Sequence, residues 1–197
     1  MVDDKFLPMS VEIDWEQQWS HHAYNFRDGK AHIPLTSEIT IELEPGPGFG
    51  DFSHPTTRLM IEMMSPFVAN RSIFDIGCGS GILSISAALL GANSVYICDI
   101  DPEAIEHANR NAAVNGVLIK ETQPKSSDLV VLMNMISSEQ EIAWAVHKVP
   151  FSILITSGIL KADRSKYLTF ARSNGWQVQQ ETELDGWLGF VFKENHK

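Results

Sequence analysis

Two kinds of apolar spacing take turns along the chain. Apolar residues three and four apart run through residues 54–67 (HPTTRLMIEMMSPF), 81–91 (GILSISAALLG), 101–116 (DPEAIEHANRNAAVNG), 137–149 and 162–175, and predict helices. Short continuous or alternating apolar runs lie between and around them, at 39–43 (ITIEL), 72–77 (SIFDIG), 94–100 (SVYICDI), 117–121 (VLIKE), 128–135 (DLVVLMNM), 151–159 (FSILITSGI), 176–184 and 187–194. Runs of this length predict strands, several of them buried on both faces. Pro55 and Pro102 suit the first turn of a helix, Asp101 an N-cap, and Gly91 and Gly116 a helix end. Ser137 and Gln140 have the spacing of a reciprocal N-terminal cap. Near the amino end Trp15 and Trp19, with Tyr24 and Phe26, fall close to one helical face, which predicts an amphipathic helix over 14–28.

From residue 72 onward strand and helix alternate, so neighbouring strands run parallel and the helices cover both faces. Asp185-Gly186 separates the last two strands, and this dipeptide predicts a tight hairpin. The expected fold is α/β: a doubly wound, mostly parallel sheet of seven strands with an antiparallel C-terminal hairpin. Residues 1–50 read as a helix and linker packed on a core formed by 51–197.

Composition narrows the function. A hydrophobic fraction of 44% with 20% charged residues is a globular balance and argues against disorder. The net charge of −10, without a cluster of Lys or Arg, argues against a nucleic-acid backbone as partner and suits a basic protein better. The first residues carry no apolar signal core and no run is long enough to cross a bilayer, so no membrane partner and a cytoplasmic location are expected. Two cysteines, Cys78 and Cys98, are too few for a disulfide framework or a zinc site, and the histidines are scattered, so no metal is expected.

Candidate chemistry gathers where the first strand of the sheet ends, in DIGCGSG. Doubly wound sheets bind ligands at the carboxyl ends of their strands. Gly77, Gly79 and Gly81 let the backbone turn and approach a ligand, and the following helix aims its N-terminal N–H groups there. Asp99, at the end of the next strand, is placed to accept hydrogen bonds from both hydroxyls of a ribose. A dinucleotide fingerprint asks for glycine or alanine where Ile82 stands. The pattern G-x-G-x-G after Asp75 instead resembles the first motif of class I methyltransferases that use S-adenosylmethionine, and their sheets also end in an antiparallel strand.

One further stretch makes the resemblance specific. EPGPGFGDFSHPTTR, residues 44–58, resembles the segment preceding the catalytic core in the ribosomal protein L11 methyltransferase (PrmA) family, and the similarity runs from DWEQQW at Asp14 to the C-terminus, including SGIL at 157–160. That resemblance implies S-adenosylmethionine as cofactor and methylation of protein amines, on lysine or a chain terminus. It implies cofactor contacts at Thr57, Gly77, Gly79, Asp99, Asn134, Phe49, Gly50 and His54, with Asn134, in LMNMI, also positioning the amine. The bare loop at 45–50 is then expected to let sulfonium and amine meet against backbone. Three features depart from the family. The chain is expected to lack that family's N-terminal docking domain and so to methylate the ribosomal substrate poorly. Asp51-Phe52 replaces a Thr-Gly pair, and the segment after Gly116 is short. A degenerate, non-catalytic binding module of the same fold and a small-molecule methyltransferase therefore stand as alternatives.

Overall fold

A computed structural model describes residues 13–126 and 128–194. The alternating runs build one sheet from β4 (Ser72–Ile76), β5 (Ser94–Cys98), β6 (Leu129–Asn134), β7 (Ile153–Leu160), β8 (Trp176–Leu184) and β9 (Trp187–Glu194), in the order β5-β4-β6-β7-β9-β8. The first four are mutually parallel, and β9 is antiparallel to both its neighbours. Asp185 and Gly186 take φ of 51° and 81°, as the hairpin turn requires. The order reverses at β4, whose neighbours β5 and β6 both follow it in the chain. The crevice that opens there is where a ligand fits.

Along each parallel strand alternate residues enter different cores. Ile73, Val130 and Leu132 join one with α2 (Pro55–Val68), α3 (Ile82–Leu89) and α4 (Pro102–Val114). Phe74, Val131 and Met133 join another with α5 (Ser137–His147) and α6 (Arg164–Ser173). Burial on both faces explains why these strands read as continuous apolar runs. Asp101 caps α4 by accepting the Glu103 N–H at 2.9 Å. Among the described residues no helix is long and apolar enough to cross a membrane.

Three expectations need correction. Among the described residues the sheet has six strands, not seven: residues 117–121 make a single parallel bridge at Lys120, bonded to Val95 and Ile97 of β5. Leu118 stays 86% exposed and Pro124 lacks an N–H, so nothing rewards a longer ladder there. The helix expected over 14–28 stops early, at α1 (Trp15–His22). Phe26 instead lies in β1 (Phe26–Arg27), hairpinned to β2 (Lys30–Pro34), because Asp28 and Gly29 take φ of 51° and 75° and turn the chain back. With β3 (Thr40–Leu43) these strands form a small separate sheet. Finally, Ser137 does not cap α5, whose N-cap is Ile136 with no side-chain cap bond; Gln140 bonds elsewhere.

A ladder of polar side chains along α4 and its C-cap fastens the small sheet and the next loop to the core. Asn115 accepts from the Glu42 N–H at 3.0 Å and donates to the Glu42 carbonyl at 2.6 Å, as a neighbouring strand would. One turn back, Asn111 accepts from Glu44 N–H at 2.8 Å and donates to the Ser80 carbonyl at 2.9 Å. Another turn back, His107 accepts from Gly48 N–H at 3.1 Å through Nδ1 and bonds the Glu44 carbonyl at 2.7 Å through Nε2. Burial keeps this imidazole below its ordinary pKa, and the neutral tautomer with Nε2–H satisfies both contacts.

Candidate active site

A cavity of about 760 Å³ opens at the carboxyl ends of β4, β5 and β6, roofed by the loop between β3 and α2. That roof lies directly on the glycine loop after β4. A Cβ on Gly48 would collide with the Gly79–Ser80 peptide, and one on Gly79 with the Phe49 carbonyl. Ser80 N–H donates to that same carbonyl at 2.8 Å, and Ser80 Oγ to the Gly50 carbonyl at 2.6 Å. At Gly46 a Cβ would stand 2.6 Å from the His107 ring. Packing therefore already requires these two glycines, Gly46 against the His107 ring of α4 and Gly48 against the glycine loop, whether or not a reacting group also meets the bare backbone.

The glycine loop is a wall rather than a donor nest. Gly77 and Cys78 N–H both donate to the Cys98 carbonyl, Gly79 N–H to Asp99 Oδ2 at 2.9 Å, and Gly81 N–H to the Cys78 carbonyl. The cavity wall ends at Gly79, and the start of α3 lies behind it, so the expected free N–H groups do not face the ligand space. Asp99 itself lines the cavity, held from behind by Gly79 N–H and by Asp101 N–H at 3.1 Å. A carboxylate accepts about four hydrogen bonds, so its other lone pairs remain for a ligand. Beneath the loop Asp75 is 1% exposed. Burial pushes its carboxyl up to about 7, opposed by the Ser84 hydroxyl bonded at 2.6 Å.

At the other end of the cavity stand Phe49, His54 and Trp187. The His54 ring meets Phe49 edge-on at 5.5 Å and Trp187 at 4.9 Å. His54 Nδ1 accepts the Thr56 N–H at 3.3 Å, which makes this side chain the N-cap of α2. Burial lowers its pKa, with Asp51 opposing and Arg58 adding. The neutral ring therefore carries its proton on Nε2. Asp51 spends its carboxylate locally, accepting from Ser53 N–H at 2.9 Å and Ser53 Oγ at 2.5 Å. Phe52 takes φ of 71°, the conformation of the glycine it replaces, and turns its ring onto Tyr24 at 5.5 Å. Neither residue lines the cavity.

Asn134 ends β6 on the cavity floor, and its Oδ1 is buried without a hydrogen-bond partner. Opposite, Gly158 takes φ of 94° in a bulge of β7, where a Cβ would strike the Met135 carbonyl. Ile142 and Val146 of α5 extend the wall, 66% and 69% exposed. The charged residues of the wall are Asp99, Asp101 and Glu139, with no lysine or arginine, so the field favours a cation.

Of the residues nominated from sequence, the structure brings Phe49, His54, Gly77, Gly79, Asp99 and Asn134 to this one cavity. Gly50 and Thr57 stand behind its wall; Thr57 is fully buried with Oγ1 unpartnered, and Thr56 lines the cavity in its place. Sequence reasoning missed Trp187, Gly158 and the α5 residues. The Asp-Gly turn before Trp187 fixes its register opposite Leu184, but no local pattern says that its ring reaches His54. Among the described residues no cluster of three or more His, Cys, Asp or Glu side chains could hold a metal ion.

A family model for ribosomal protein L11 methyltransferase (PrmA) matches residues 6–195. The ribosomal protein L11 methyltransferase of Geobacter metallireducens is 34% identical, over 92% of this chain and 67% of its own length. That of Tolumonas auensis is 31% identical, over 92% of this chain and 70% of its own. Among solved structures, a ribosomal protein L11 methylase from Lactobacillus delbrueckii subsp. bulgaricus is similar, with a TM-score of 0.70 at 25% identity, covering 84% of this chain and 99% of that one.

Proposed function

This chain belongs to the ribosomal protein L11 methyltransferase (PrmA) family, and on that premise we propose that it methylates amine nitrogens of a protein, using S-adenosylmethionine held in the cavity described above. Against the expectation of poor methylation, ribosomal protein L11 is the first candidate substrate, since the relatives bear its name and this chain matches about two thirds of their length. The observation that carries the reading is the meeting, in one cation-favouring cavity, of the Asp99 carboxylate and the unpartnered Asn134 oxygen across a glycine wall.

S-adenosylmethionine supplies a methyl group already activated on a sulfonium, so the protein's task is placement. Asp99 would hold the ribose hydroxyls, Gly77 and Gly79 admit the ligand against bare backbone, and Ile100 offers an apolar wall. Asn134 Oδ1 would accept a hydrogen bond from the substrate amine and aim its lone pair. Phe49, His54 and Trp187 close the far side and exclude water, and their ring faces tolerate a cationic product. His54 cannot take the amine's proton without giving up the α2 cap, so the amine arrives neutral after losing its proton to water. The charge of Asp51 and the bulk of Phe52, which favoured a degenerate site, are both spent on neighbours outside the cavity lining. The acidic net charge suits a basic protein and not a nucleic acid, and the free cysteines Cys78 and Cys98 suit the cytoplasm.

Incubating the purified chain with the cofactor and ribosomal protein L11, followed by intact-mass spectrometry, tests the reading. A gain of one or more methyl groups, abolished in Asn134→Ala, is expected. Unmodified L11 with the cofactor demonstrably bound would reject L11 as substrate.

A further inference from the structure

We propose that Gln140 is a positioning residue for the transfer step: it clamps the strand end that carries Asn134, and Tyr167 fixes Gln140 in turn. The inference rests on the methyltransferase reading above. Gln140 is fully buried, and its Nε2 donates to two carbonyls at 2.8 Å each, those of Met135 and Ser157. Its Oε1 accepts from the Tyr167 hydroxyl at 2.5 Å, and Thr156 Oγ1 lies 2.9 Å from the same hydroxyl. Two carbonyls can face only the amide's NH₂, so the orientation of this side chain is unambiguous.

The two clamped carbonyls sit on either side of the last rung joining β6 to β7. Asn134 pairs with Ser157 there, Met135 is the first residue to leave the ladder, and Gly158 begins the bulge opposite it. Asn134 Oδ1 has no partner of its own, so the direction of this strand end decides where the oxygen points. Removing the amide leaves the buried Ser157 carbonyl and the part-buried Met135 carbonyl unsatisfied. Nearby solvent is in the cavity, so the Met135 peptide gains by turning toward it and carries Asn134 along. Such a misplacement would cost more in rate than in cofactor binding, because Asp99 would hold the cofactor from another strand.

The test uses the full chain labelled with [¹⁵N]asparagine, the Asn134 side-chain resonances being assigned by Asn134→Asp. In Gln140→Met they should shift or broaden, while those of exposed Asn93, bonded to the Asn70 carbonyl at 2.7 Å, stay in place. The affinity for S-adenosylhomocysteine should hold, and kcat on L11 should fall by roughly a hundredfold. Gln140→Glu offers one donor only when protonated, so its kcat should recover in part as pH falls. Tyr167→Phe, which preserves volume, should move the same resonances by less and stands in if Gln140→Met fails to fold. Unmoved Asn134 resonances, or moved ones with kcat unchanged, would overturn the proposal. If the wild type transfers no methyl to L11 but the resonances respond as described, the positioning stands and the substrate assignment fails.

Discussion

Neutral His54 holds the first turn of α2 with Nδ1, which commits the ring before any chemistry begins. His54→Ala should cost about 1 kcal/mol as a lost N-cap, a fall in Tm of roughly 2–4 °C for a chain of this size. His54→Asn, a good cap, should restore most of it, and the pH–rate profile should keep its shape. An acid-side inflection that vanishes in His54→Asn would make His54 a base after all. Asp75 sets a second pH dependence. Its folded pKa, about 7, lies above the unfolded 3.8, so the folded protein binds the extra proton between them. The stability it confers is complete below the lower value and lost as pH rises through the upper one. Asp75→Asn, which still accepts from Ser84, should therefore gain stability relative to wild type as pH rises from about 4 to about 7 in denaturant melts. Equal slopes would show that Asp75 is charged in the fold. Asp99, Gly77 and Asn134 were legible because a strand end is a position that sequence can locate. Trp187 was not, since its role comes from a contact between segments far apart in the chain.

The loop over the site needs its glycine at 48 because two backbones touch there, whether or not a ligand also needs the space. Gly48→Ala should cost about 1–3 kcal/mol as overpacking between loops, with the melting temperature falling and affinity for S-adenosylhomocysteine falling alongside. An unchanged melt would mean that the loop lifts freely and that the contact with Gly79 is not what roofs the cavity. Elements long in period were readable: α2, α3, α4 and the parallel strands all lie where apolar spacing put them. Misread elements share a cause, in that local pattern competed with a turn or a distant partner. Asp28-Gly29 reversed a chain whose aromatics had helical spacing. VLIKE has the composition of a strand but little to bury. Gln140 has cap spacing, yet the carbonyls of Met135 and Ser157 outcompete the helix end.

Across the whole molecule, the switch in strand order at β4 and the roof carried by α4's ladder converge on one cavity. The fold class was legible because alternation of strand and helix constrains topology strongly. The extent of the sheet was not, because the seventh strand depends on cover that the short segment after Gly116 does not provide. Binding of the cofactor's demethylated product is the claim on which the rest depends. Calorimetric titration of S-adenosylhomocysteine into the chain and into Asp99→Asn and Asp99→Ala tests it directly. Wild type should show saturable one-site binding. Each lost charge-assisted hydrogen bond costs about 1.5–3 kcal/mol, so Asp99→Ala should weaken binding by at least about tenfold, with a modest loss of stability from the freed Gly79 and Asp101 amides. No heat at millimolar ligand, or affinity undiminished in both Asp99 variants, would contradict the assignment of this cavity as the cofactor site.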